Sequence, residues 1–296
     1  MGRGIGEIEF LQEYIPESLA TPIALFTQLG DVWFLVFLLG VLYLSPTTNR
    51  DAIAAVSGVT LAGLAFMDSL KHIFALPRPD QPLLPTEELP VVLQPLYEAT
   101  AFSAGYGFPS GHALMTTIVY LSLADVLSIS TRKRRYLIAS LLIVTVSLSR
   151  IALGVHYLVD IVAGVGLGFG FLIATRTIST SVSDKGTAAF GLAVFLAGLN
   201  LLISLADTDA LQLAGAALGA FAGWQLIGVT RGLLSERGQS KTDRLLWGRV
   251  ITATIAITVL VAALGFNPVT SPVAQSGILG LGVAVFVLIP MIRDVR

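Results

Sequence analysis

The chain has 296 residues, of which 54% are hydrophobic and 12% charged, with a mean hydropathy of +0.81 and a formal net charge of −1. A soluble domain carries about 25% charged residues, so this composition excludes a water-soluble secreted enzyme, a nucleic-acid binder and a disordered scaffold. The chain has no cysteine, which excludes a disulfide framework, a thiol nucleophile and a Cys-bound metal, and its three histidines leave little for a metal cage.

Apolar stretches of about 17–25 residues, the length of helix that crosses a bilayer, recur from residue 21 to residue 292. They are continuously apolar, whereas a transmembrane β-barrel would alternate apolar and polar positions. The expected fold is therefore all-α, a polytopic transmembrane helical bundle. Ahead of the first span, Ile5, Ile8, Leu11 and Ile15 recur at roughly helical spacing with Glu7, Glu9, Glu13 and Glu17 between them. This predicts an amphipathic interfacial helix, and it lacks the basic start and small-residue cleavage site of a signal peptide. Nine spans follow, at residues 21–44, 52–74, 111–129, 136–153, 157–175, 187–206, 210–230, 248–265 and 276–292.

Between the second and third spans, the stretch from Pro77 to Pro109 is the longest polar connection. Its prolines 77, 79, 82, 85, 90 and 95 prevent a long helix. After residue 186 the spans hold no histidine and almost no ionisable residue, so the chain is expected to divide into a catalytic core, 1–186, and a helical region, 187–296. Gly164 and Gly168, and again Gly215, Gly219 and Gly223, are spaced for close helix packing, either within the chain or in a homo-oligomer.

Charged groups in or beside a span are costly and mark function. Three clusters qualify: Lys71-x6-Arg78-Pro79 at the end of the second span, Pro109-Ser110-Gly111-His112 at the start of the third, and Ser149-Arg150-x5-His156-x3-Asp160 across the turn between the fourth and fifth. With alternating spans, all three fall on one side of the membrane. Together they offer three cations, two imidazoles and a carboxylate, which suits a tetrahedral dianion undergoing displacement. Guanidinium groups bind phosphate oxygens bidentately and lysine acts as a point charge. Ser110 and Gly111 at a helix start would turn backbone N–H groups and a hydroxyl toward an anion. Asp160, four residues after His156 and so on the same helix face, can hold one ring nitrogen and leave the other to attack. No carboxylate stands at such spacing from His112.

The pattern K-x6-RP, then PSGH, then SR-x5-H-x3-D resembles the type 2 phosphatidic acid phosphatase (PAP2) superfamily, membrane relatives of acid phosphatases and vanadium haloperoxidases. The resemblance covers residues 20–176 and every fixed position is present. It implies that His156 forms a phosphohistidine and that Asp160 orients it. It implies too that His112 protonates the leaving oxygen and then activates water, and that Lys71, Arg78, Ser110, Gly111 and Arg150 hold the phosphoryl oxygens. No metal and no cofactor are implied. The expected substrate is a lipid phosphate or pyrophosphate presented by the bilayer, either phosphatidic acid-like or polyprenyl. The rival readings are a phosphotransferase with the same site and a non-catalytic lipid-phosphate binder or transporter.

Other polar residues are less clear. Asp31 lies about ten residues into the first span and must face the bundle, near the site or near another helix. Asp68 could pair with Lys71 or join a neighbouring helix. His72 is expected to make a structural or headgroup contact, and Glu98, Ser103 and Tyr106 either line the substrate mouth or are solvated. Counting basic residues against the nine-span model puts 14 of the 18 Lys and Arg on the side of the Arg132–Arg135 loop, leaving Arg3, Lys71, Arg78 and Arg150 opposite. Short basic loops stay in the cytoplasm. The expected location is the cell membrane, with the N-terminus and active site extracytoplasmic and the C-terminus cytoplasmic.

Overall fold

The computed structural model describes residues 3–79, 81–102, 104–179, 182–234 and 240–294, and among these it contains helices, turns and no strand. In chain order the helices are α1 (Glu7–Tyr14), α2 (Ala20–Thr27), α3 (Val32–Leu44), α4 (Arg50–Phe74), α5 (Gln94–Ala101), α6 (Gly111–Val126), α7 (Arg132–Ala152), α8 (Leu158–Ser179), α9 (Lys185–Ile203), α10 (Thr208–Leu234), α11 (Ser240–Gly265) and α12 (Pro272–Asp294). Seven of the described helices, α4 and α7 to α12, are long and apolar enough to cross a membrane. The chain is a multi-pass membrane protein.

Two of the nine expected spans differ from a single long helix. Residues 21–44 do not form one rod: the helical run Glu17–Gly30 and α3 meet at a bend of 52° at Asp31. The reason is local. Asp31 has extended backbone angles, φ −76° and ψ 149°, and its carboxylate accepts the Trp33 amide at 3.4 Å, capping α3. The third span is also shorter than expected, since α6 has 16 residues and stops at Val126. Twelve of those residues are buried, so protein rather than lipid surrounds most of this helix. The basic Arg132–Arg135 segment is the first turn of α7, not a loop. Arg135 donates to the carbonyls of Ala124 and Ser130 at the other end of α6, at 2.8 and 3.0 Å.

The chain divides into two compact units, Met1–Leu42 with Leu70–Arg176, and Tyr43–Ser69 with Thr177–Arg296. The second unit takes in most of α4.

In the first unit, α1 covers Glu7–Tyr14. Ile8 is buried with Ala113, Ile151 and Ile161, and Leu11 and Tyr157 pack beside them, so this part of the apolar stripe faces protein. Ile5 lies before the helix and is exposed. A second cluster, Ala20, Ala24, Leu84, Tyr97, Ala101, Leu153 and Val155, fastens the proline-rich connection to α2 and to the α7–α8 turn. α8 lies close to α6 because Gly164 and Gly168 have no side chains. A Cβ on Gly164 would stand 2.7 Å from the Ser110 carbonyl oxygen, and one on Gly168 would stand 2.9 Å from that of Leu114.

In the second unit the Gly215, Gly219 and Gly223 stripe is used within the chain. Cβ atoms there would meet backbone oxygens of Ser276, Gly280 and Ala284 on α12 at 2.2, 1.8 and 2.7 Å. Asp184 caps α9 through the Thr187 amide at 2.9 Å and also accepts from Trp224 of α10 and Arg249 of α11. Asp68 takes the Asn200 side-chain amide at 2.9 Å, while Ser69 donates to the same side chain's oxygen at 2.9 Å. The interhelical contact considered for Asp68 is thus present.

Glycines on the two faces of α8 should respond differently to one added methyl group. Gly166→Ala, where a Cβ meets nothing within 4 Å, should leave thermal stability unchanged or raise it by up to about 1 kcal/mol through helix propensity. Gly164→Ala should lower it by about 1–3 kcal/mol, because the neighbour, the Ser110 carbonyl, is backbone that cannot turn aside. Unfolding of the two variants in detergent measures the contrast.

Candidate active site

All the motif residues lie in the first unit. Lys71 ends α4 in its last turn, Arg78 follows in the connection, Ser110 to His112 start α6, Arg150 is in the last turn of α7, His156 is in the turn after it, and Asp160 is in the first turn of α8. Four helix ends therefore meet.

The contact at the centre joins the first motif to the third. Arg78 Nη1 lies 2.8 Å from His156 Nε2. A guanidinium can only donate, so Nε2 accepts and its lone pair faces Arg78. The ring proton then sits on Nδ1, which is 3.5 Å from Asp160 Oδ2. That tautomer is assigned from the partners. The ring is 1% exposed and Asp160 is fully buried. Burial first, then the charges of Arg78, Arg150 and Lys71, hold the His156 imidazole well below the usual histidine range. It is therefore neutral, with a lone pair, at pH 7. Burial lowers Arg78 to about 10, with the Asp160 charge opposing, so Arg78 remains a cation.

Arg78 is itself held by carbonyls of Val155, Gly105 and Ala104, each at 3.2 Å. Gly107 allows this, since a Cβ there would stand 2.9 Å from the Pro77 oxygen and 3.1 Å from the Arg78 backbone. The second and third motifs are joined by the Ser110 amide, which donates to the Asp160 carbonyl at 3.0 Å. The Ser110 hydroxyl accepts the Ala113 amide at 3.4 Å as the N-cap of α6. The amide expected to face an anion is thus already engaged. Gly111 begins the helix, and the amides of a first turn have no acceptor within their own helix. Arg150 is 1% exposed and places Nη1 3.4 Å from the Thr27 hydroxyl.

Two contacts were not foreseen. Arg3 donates from Nε and Nη2 to Asp160 Oδ1 at 3.2 and 3.1 Å, and from Nη2 to the Pro77 carbonyl at 2.9 Å. Its guanidinium lies 5.2 Å from the centre of the Tyr157 ring. The segment is fastened around it: Glu7 accepts the Leu158 amide at 2.8 Å, and Gln12 donates to the carbonyls of Gln81 and Ala152 at 3.0 Å each. The available signal was the charge count, in which Arg3 was the one basic residue outside the motifs to fall on their side of the membrane. The other contact overturns a premise about His112. A carboxylate does stand near it, because Asp31 Oδ2 is 3.9 Å from His112 Nε2.

Of the remaining residues, His72 packs edge-on against Tyr106 with ring centres 5.8 Å apart. Glu98 is exposed on α5. Ser103 lies outside the described residues.

Part of the chain is similar to known proteins. Residues 52–183 match the family model described as the PAP2 superfamily. Lipid phosphate phosphatase delta of Arabidopsis thaliana is 29% identical over 154 residues, 48% of this chain and 36% of that protein. Phosphatidylglycerophosphatase B of Bacillus subtilis (strain 168) is 33% identical over 82 residues, 26% of this chain and 40% of that one. The chain thus aligns with less than half the length of these relatives. A crystal structure of a transmembrane PAP2 type phosphatidylglycerolphosphate phosphatase from Bacillus subtilis superposes with a TM-score of 0.48 at 22% identity, covering 60% of this chain and 85% of that one. Residues 52–183, which carry all three motifs, are thus similar to the PAP2 superfamily.

Proposed function

We propose that this protein is an integral membrane phosphohydrolase that removes phosphate from a lipid phosphate or lipid pyrophosphate through a phosphohistidine. The observation that carries the reading is the contact of Arg78 with the His156 lone pair, with Asp160 on the opposite side of the ring. It joins a nucleophile, a group to orient it and a cation that binds phosphoryl oxygen.

The incoming phosphate replaces the His156 ring as the partner of Arg78, and Lys71 and Arg150 meet its remaining charge. The Nε2 lone pair forms the N–P bond, and the P–O bond electrons pass to the leaving oxygen, which takes a proton from His112. Water then attacks phosphorus and gives a proton to His112, and the N–P electrons return to His156. Asp160 holds the Nδ1 proton throughout and stabilises the charged ring. The cations stabilise the five-coordinate transition state. The curated relatives are named as a lipid phosphate phosphatase and a phosphatidylglycerophosphatase, which supports a glycerolipid phosphate as the first substrate to try.

The site is proposed to face the extracytoplasmic side. Asp125 at the far end of α6 gathers Arg132 and Arg176, at the far ends of α7 and α8, so the basic groups of these helices lie opposite the motifs.

Brief mixing with labelled substrate followed by denaturation should trap phosphate on the wild-type protein and none on His156→Ala, which should lose about 10³-fold or more of the turnover. His112→Ala should still be labelled by an ester with a good leaving group and should lose the label slowly. Equal labelling of wild type and His156→Ala overturns the assignment.

Phosphate release from phosphatidic acid, phosphatidylglycerophosphate and a polyprenyl pyrophosphate should continue in EDTA, because protein cations meet the dianion, and vanadate should inhibit it. Loss in EDTA with recovery in Mg²⁺ would rule out the scheme.

The cysteine-free chain permits a direct test of sidedness. A cysteine at Thr86 should react with an impermeant maleimide in intact cells, and one at Ser240 only after lysis. The opposite pattern inverts the topology.

A further inference from the structure

Asp31 has no part in the scheme above, yet its position is costly. A carboxylate within an apolar helical run costs about 2.5–3.5 kcal/mol, and Ser, Thr or Asn would cap α3 as well. Its surroundings supply a reason for a charge. The break between α2 and α3 turns the chain by 52° at this residue and presents Oδ2 to His112 Nε2 at 3.9 Å. That nitrogen is buried and makes no hydrogen bond among the described residues. Gly30 brings the break this close. A Cβ on Gly30 would stand 3.2 Å from the His112 ring and 2.6 Å from Val146 of α7.

The electrostatics of the site explain what the carboxylate would do. Three cations, Arg150, Lys71 and Arg78, act on His112, gathered to hold a dianion. A general acid must be a charged imidazolium when the leaving oxygen needs its proton, and each of these neighbours opposes that charge. A carboxylate on the far nitrogen offsets them.

We infer that Asp31 is the positioning residue for His112, its carboxylate holding the Nε2 proton so that Nδ1 exchanges protons with the substrate. The inference rests on the reading of His112 as acid and base. In the first half-reaction Nδ1 gives its proton to the leaving oxygen as the P–O bond breaks. In the second, it takes a proton from water as the N–P bond breaks. The Nε2 proton remains with the Asp31–His112 pair in both. His156–Asp160 and His112–Asp31 are then two histidine–carboxylate pairs, one for the nucleophile and one for the acid.

The test separates proton delivery from phosphate binding and from folding. Asp31→Asn keeps an oxygen for the Trp33 amide and so preserves the cap on α3, while Asp31→Ser supplies a second uncharged cap if the first variant folds poorly. The full-length proteins in detergent with EDTA are given phosphatidic acid, whose alkoxide leaving group needs a proton, or 4-nitrophenyl phosphate, whose phenolate does not. For the variants, the expected result is a fall in kcat on phosphatidic acid of about 10–100-fold, with KM and vanadate affinity unchanged, since a general acid contributes about 10²–10⁴-fold. The first-turnover burst of nitrophenolate should stay within about threefold of wild type, because that step bypasses the acid. Equal slowing of the burst and of phosphatidic acid turnover, or no slowing of either, overturns the inference. A raised KM and weakened vanadate binding with kcat retained would assign Asp31 to Arg150 instead and also overturn it. A wild-type protein that shows neither burst nor label overturns the phosphohistidine scheme itself, and this inference with it.

Discussion

A neutral imidazole held against a guanidinium is the interaction on which the site depends. Arg78 can donate to His156 only if the ring keeps its lone pair, and the ring keeps it because it is buried among cations that oppose a second proton. The same crowding of cations thus keeps the His156 ring unprotonated. It also creates an electrostatic problem that carboxylates must solve. Asp160 lies beside His156 and is engaged by Arg3 and the Tyr157 amide on its two oxygens. Asp31 lies beside His112. Each histidine is therefore in reach of one anion within a cluster of positive charge.

Helix packing makes that crowding available. Ser110 can donate to the Asp160 carbonyl because α6 and α8 approach at Gly164, where any side chain would strike the Ser110 oxygen. Gly30 does the same for the bend beside His112, and Gly107 for the chain around Arg78. In lipid there is little hydrophobic force between helices, so contact at small residues and interhelical hydrogen bonds supply the cohesion. Three glycines distant in sequence thus set the positions of His112, Asp160 and Arg78.

Not all of this was readable beforehand. The spans from α7 to α12 and the three motifs were visible because continuous apolarity and isolated charges have few alternative explanations in a bilayer. The bend at Asp31 was not, because the residues around it are as apolar as those of an unbroken helix. Its signal, Gly30 followed by Asp31, also fits a polar residue facing a neighbour. The short third span was missed for a related reason. Hydropathy does not tell a helix surrounded by protein from one surrounded by lipid, and α6 is mostly buried in protein. Ser110 was read as an anion donor from its place at a helix start, but the partner of its amide, the Asp160 carbonyl, comes from 50 residues away.

The sequence by itself determined that the protein crosses the membrane many times and that three charged motifs stand at helix ends. Those conclusions follow from composition and from spacing along a helix, both of which are local properties. Tertiary structure alone decided that Arg3 reaches Asp160, that Asp31 stands beside His112, and that the lone pair of His156 faces Arg78. These are contacts between residues 157, 81 and 78 apart in the chain, and of the last pair the meeting was expected but the geometry was not. Distance along the chain carries no information about such contacts, because a bend or a missing Cβ elsewhere in the bundle determines which side chains can meet.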